Sequence, residues 1–240
     1  MTVVEAARRP TRSPQPSTFA LKLVMAVTGV IFVAFVFIHM IGNLKVYGGA
    51  ESLDAYAQWL REVGYPLIPH HGVLWALRVV LLGSLIAHVV SAILLFLRGR
   101  RRRGPHRRRN LTGFTAFAAR TMLVGGLVIL AFVIVHLLDL TIGIGAAPAD
   151  YRAPDPDGTI HTYANLVASF SRPFMALFYA VSMLVIAVHI VHGWRTLLQD
   201  IGVMGHRFRA VWITLGALIA LGVLLGNALI PILVLTGAIA

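Results

Sequence analysis

Cysteine is absent from this chain of 240 residues, so disulfides, thiolate-held iron–sulfur clusters and cysteine nucleophiles are excluded. Charge is scarce as well: only 12% of residues are Asp, Glu, Lys or Arg, against 58% that are hydrophobic. That balance lies far from an ordinary soluble domain. Acids are the rarest of all, 9 against 21 Lys and Arg, which leaves a formal net charge of +12.

What is present instead is long apolar sequence. A bilayer core of about 30 Å needs roughly 20 apolar residues per helix. Five stretches meet that length, at about Phe19–Asn43, Val73–Leu97, Ala116–Gly145, Pro173–Leu198 and Phe208–Thr236. The expectation is an all-α integral membrane protein in which five transmembrane helices form one membrane domain over residues 19–240. The first apolar stretch is too long for a signal-peptide core and no small-residue cleavage site follows it, so residues 1–18 read as a flexible cytoplasmic leader that stays attached.

The basic residues are clustered. Arg8, Arg9, Arg12 and Lys22 precede the first helix, eight arginines lie between Arg98 and Arg109, and Arg195, Arg207 and Arg209 flank the last loop. All three clusters fall on one side of a five-helix chain, which places the N-terminus in the cytoplasm and the C-terminus outside. The run Arg100–Arg103 has no aromatic interleaving and is wedged between two spans. It is read as a topology and anionic-lipid signal, or a docking face for a soluble partner, and not as a nucleic-acid site.

Polar groups within the hydrocarbon are costly unless paired or ligated. His39, His88, His136 and His189 stand one in each of the first four spans. From a rise of 1.5 Å per residue, His88 and His189 lie roughly 9–15 Å from the arginine-rich side, and His39 and His136 roughly 24 Å or more. Each pair therefore shares a level and comes from two helices running in the same direction, as a macrocycle ligated on both faces requires. The segment Phe35–Ile41 also matches Phe132–Leu138, and Ala87–Val90 matches Val188–Val191, which reads as a parallel internal repeat. Two other readings stand beside bis-histidine haem: histidines that only bond across a polar core, and a zinc or copper path. The second lacks the carboxylates or thiolates expected at the same depth.

These residues resemble the single-chain dihaem cytochrome b subunit of bacterial succinate dehydrogenases and fumarate reductases. The likeness runs from the first helix to the end of the fourth. It is carried by His39 with Gly42-Asn43-Leu44, Tyr56-Ala57 and Leu60; by Tyr163, Asn165-Leu166-Val167 and Ser169-Phe170; and by His189-Ile190-Val191-His192-Gly193-Trp194 leading to Gln199 and Gly202. Asp200-Ile201 departs from the threonine-leucine pair usual in relatives.

The resemblance implies that the first four helices form a haem-binding bundle. His88 and His189 would hold the haem b nearer the cytoplasm, and His39 and His136 the haem b nearer the outside. It further implies a flavoprotein and an iron–sulfur subunit on the cytoplasmic face, a quinone (menaquinone by family analogy) as electron acceptor, and residence in the bacterial cytoplasmic membrane. Arg78, Arg120, Arg195 and Lys45 are candidate propionate contacts or, equally, snorkelling anchors. Glu62, Asp139, His70 and His71 are candidate proton donors to quinone near the outer haem, with Asp139 the deepest. Helix-end acids and solvated loop residues are the alternative, as is a quinone site at the inner face. Gly222 and Gly226 have the small-xxx-small spacing of a close helix contact, to the core or to another protomer. A dihaem cytochrome b of another respiratory enzyme and a haem-free anchor remain as competing functions.

Overall fold

The computed structural model describes residues 16–103, 113–203 and 205–240. Nearly all of the leader and the arginines at 107–109 lie outside the described residues. Helix is the only regular structure among the rest, since a backbone in lipid must satisfy its own N–H and C=O groups. Five helices are long and apolar enough to cross a membrane: α1 (Thr18–Asn43), α3 (Gly72–Arg103), α4 (Gly113–His136, continued by a π-turn over Leu137–Ile142), α6 (Pro173–Asp200) and α7 (His206–Leu235). Two short helices not expected from the apolar runs, α2 (Gly49–Glu62) and α5 (Thr162–Phe170), fill the loops opposite the arginine-rich end.

Local chemistry sets the boundaries. Ser17 caps α1 by accepting the Ala20 N–H at 3.0 Å. Pro173 occupies the first turn of α6, where its missing N–H costs nothing. Gly143, at φ 78°, ends the π-turn in the left-handed conformation that glycine tolerates. α3 continues past Leu97 to Arg103, because arginine is a good helix former and extends the helix beyond the apolar stretch.

Contacts at both ends establish the arrangement. Lys22 pairs with Asp200 at 2.6 Å, bringing the start of α1 to the end of α6 at the arginine-rich end. At the other end Asp54 of α2 accepts the Tyr163 N–H of α5 at 2.9 Å, and Tyr163 Oη donates to the Ala240 carbonyl at 3.0 Å. Asp54 thus satisfies a free donor at the start of α5, whose own cap residue supplies no side-chain bond.

Between the ends, α1 packs with α3, and α4 with α6, while α7 lies along α6 and also touches α1. Among the described residues the backbones of α1 and α4, and of α3 and α6, make no extended contact. The fifth span therefore ties the two helix pairs together. Of the two glycines singled out for their spacing, Gly226 sits where a Cβ would come within 2.7 Å of the Met40 thioether, whereas Gly222 faces open space. The tighter approach is at Gly216, where a Cβ would overlap the Trp194 ring, itself held by Nε1 donating to the Trp212 carbonyl at 2.8 Å.

The motif residues mostly serve this frame. Gly42 is buried and leaves room for Tyr56, whose ring would lie 2.6 Å from an added Cβ, so α2 folds back onto the end of α1. Asn43 donates to Asn227 of α7 at 2.8 Å, and Asn165 clamps both backbone groups of Arg152 at 2.8 Å.

Candidate functional site

The four histidines fall into two pairs between the two helix pairs. His39 of α1 faces His136 of α4 with ring centres 5.9 Å apart and planes at 82°. His88 of α3 faces His189 of α6 at 6.5 Å and 53°. A metal–imidazole bond of about 2 Å on each side, plus roughly 1.1 Å from nitrogen to ring centre, puts two imidazoles on one metal about 6.2 Å apart. Both pairs bracket that separation, and in each the ligand-bearing helices stand apart without backbone packing.

Sequence neighbours orient the rings. Phe35 stacks on His39 at 5.4 Å and Phe132 on His136 at 5.7 Å, each one helical turn before its histidine, under the same shift of 97 residues that maps His39 onto His136. The same shift maps Gly29 onto Gly126. A Cβ at Gly29 would lie 3.9 Å from His88 Cε1, and one at Gly126 would lie 3.9 Å from His189 Cε1.

Neighbouring hydroxyls favour Nε2 as the free nitrogen of two rings. Thr28 Oγ1 donates to the Val24 carbonyl at 2.7 Å, so toward His88 Nδ1, 2.9 Å away, it must accept. His88 then carries its proton on Nδ1 and leaves the Nε2 lone pair for a ligand bond, the arrangement that metal-binding histidines favour. Tyr179 Oη donates to Asp139 Oδ2 at 2.9 Å and so presents an acceptor to His136 Nδ1 at 3.4 Å, a long contact with the same sense. His189 Nδ1, by contrast, is buried without a partner among the described residues. Gly125 stands where the repeat would place the counterpart of Thr28.

Asp139 is fully buried, and the π-turn presents it to a network that sequence reading missed. It accepts from Ser169 Oγ at 2.5 Å, Arg172 Nη2 at 2.7 Å and Tyr179 Oη at 2.9 Å. Arg172 also donates to the Ala146 carbonyl at 2.8 Å, closing the loop after the π-turn over the cluster. Three donors on one carboxylate cast Asp139 as an acceptor and the ion-pair partner of Arg172. A buried aspartate demands a cation, and a search for one at this end of the chain would have led to Arg152 or Arg172.

Most of the other expected residues lie at the surface. Glu62 is exposed at the end of α2 and accepts from Gln58 at 2.7 Å. His71 is exposed, with φ 64°, and His70 stacks on Tyr65 at 4.2 Å. Arg78 lies over the exposed Trp75 ring at 4.9 Å, the stance of an interfacial anchor. Lys45 and Arg120 are exposed, and Arg195 is half-buried beside His192 near the arginine-rich end. No protein-family model, curated protein or solved structure matches the chain.

Proposed function

We propose that this chain is the dihaem cytochrome b anchor of a succinate:quinone oxidoreductase, carrying electrons between an iron–sulfur partner and a membrane quinone. The observation that carries the reading is the pair of facing imidazoles at each of two levels, at separations suited to one metal each, between helices that do not otherwise pack. His39 with His136, and His88 with His189, would each hold one haem b, which when bound supplies one-electron transfer.

The chain's own residues account for the rest. Thr28 and Tyr179 hold the ring protons of His88 and His136 on Nδ1, leaving Nε2 for ligation. The stacked Phe35 and Phe132 limit ring rotation, and Gly29 and Gly126 keep the space beside His88 and His189 free of side chains. Apolar faces of α1, α3 and α4 turn outward, as lipid contact requires. The arginine-rich end offers a cationic face to a soluble partner, and the quinone would be taken from the lipid.

The test is haem b content per chain of the purified protein, with single histidine substitutions. Two haems are expected, His39→Ala or His136→Ala removing one and His88→Ala or His189→Ala the other. A chain with no haem that still holds flavin and iron–sulfur subunits on the membrane would instead be a haem-free anchor.

A further inference from the structure

The two imidazole pairs differ in what stands behind them. Behind His88 is a neutral hydroxyl, Thr28 Oγ1, whose proton is spent on its own helix. Behind His136 is a hydroxyl whose proton is directed at a carboxylate, and that carboxylate is buried and tied to a guanidinium. The chain His136 Nδ1–Tyr179 Oη–Asp139 Oδ2 crosses from α4 to α6 and back to the π-turn, and Arg172 with Ser169 fixes its far end.

From this geometry we infer that Asp139 is a positioning residue for His136: through Tyr179 it fixes the imidazole proton on Nδ1 and raises the basicity of Nε2 toward the metal. The inference rests on the haem-ligating reading of His136 given above. Its physics is that of a ligating histidine backed by a carboxylate, with a tyrosine hydroxyl interposed as relay. A phenol polarised by a buried carboxylate is a better acceptor than a free one, because hydrogen bonds in a chain strengthen one another. Arg172 neutralises the carboxylate's charge and keeps it buried, and Ser169 occupies a further lone pair, so Tyr179 keeps its place on Oδ2. A more basic imidazole favours the oxidised iron, so the network holds the potential of this one site down.

The test is a potentiometric titration of both haems in the purified full-length chain, with haem content measured on the same samples. Tyr179→Phe removes the relay and leaves the Asp139–Arg172 pair intact; Asp139→Asn removes the charge behind it. Each variant should keep two haems per chain and raise the potential of one haem only. The expected size is roughly a tenfold change in its oxidised-to-reduced ratio at fixed ambient potential, about 59 mV for a one-electron couple. Thr28→Val, which acts on the His88 pair, should move the other haem instead. Two haems with unmoved potentials in Tyr179→Phe would overturn the relay while leaving the cytochrome reading intact. A wild-type chain that binds no haem would overturn the cytochrome reading itself.

Discussion

The internal repeat allows one site to be perturbed in opposite directions. Thr28 Oγ1 is the partner of His88 Nδ1 at 2.9 Å, and Gly125, the position equivalent to Thr28, leaves His189 Nδ1 without one. Thr28→Val keeps the shape of the side chain and strands the ring N–H of the half-buried His88, which costs about 1–3 kcal/mol. On the haem-binding reading proposed above, and since about 1.4 kcal/mol is tenfold, haem retention at the His88–His189 level should weaken by roughly ten- to a hundredfold, in the range seen when the outer partner of a ligating histidine is removed. Gly125→Ser does the reverse. Its Cβ would lie 3.6 Å from Val185 Cγ1, an ordinary contact, so the side chain enters without displacing a neighbour, and by the repeat it takes the place toward His189 that Thr28 has toward His88. The assay is the rate of haem loss from purified protein to an excess of a haem-scavenging protein, followed by absorbance. Thr28→Val should speed the loss of one haem, Gly125→Ser should slow the loss of that same haem, and the His39–His136 haem serves as the control. Equal loss rates in wild type and Thr28→Val would refute the tautomer argument made for His88.

Helix packing yields sharper contrasts. Gly216→Ala drives a Cβ into the rigid Trp194 ring and should cost about 1–3 kcal/mol, whereas at Gly226 the obstacle is the flexible Met40 thioether and the cost should be smaller. Thermal unfolding in detergent ranks the two, and equal midpoints would show that α7 is not held as described. Arg172→Ala leaves Asp139 buried without its cation, a loss of order 3–5 kcal/mol, so it should lower accumulated folded protein more than Asp139→Asn does. The reverse order on gel filtration would argue against the ion pair. Asp54→Ala should cost about 1 kcal/mol by uncapping α5, detectable as faster hydrogen exchange over Tyr163–Asn165 with the rest unchanged.

The five spans were legible because a bilayer demands a fixed length of apolar sequence, and little else in a chain satisfies it. The four histidines were legible for the complementary reason, that an imidazole is out of place in such a stretch, and counting rise per residue was enough to sort them by level. Asp139 was picked out by its depth, but the partners that surround it there, Ser169, Arg172 and Tyr179, were not legible. Arg172 sits between Ser171 and Pro173 at the head of a span, where an arginine reads as an interfacial anchor. Only the fold brings it to an aspartate far back in sequence. Tyr179 looks like one more aromatic in an apolar run, and its hydroxyl acquires meaning from His136 and Asp139 on another helix. The short α2 and α5 escaped because neither is long or apolar enough for the spanning criterion. In the same way, a glycine spacing announces a close approach without saying which glycine makes it, so Gly222 and Gly226 stood out while Gly216 did not.

The halves of the chain agree where they shape space and differ where they bond. Under the repeat, Phe35 and Phe132 stack alike, and Gly29 and Gly126 clear the same volume beside a histidine. Yet Thr28 is replaced by Gly125, and Asp139 falls where the first half has Gly42, whose missing side chain admits Tyr56. Each level therefore combines one imidazole with a hydrogen-bonded back, His88 or His136, and one held by packing, His189 or His39. On the cytochrome reading proposed above the combination would have a purpose: similar spacing would place two centres, and unequal hydrogen bonding would set their potentials apart.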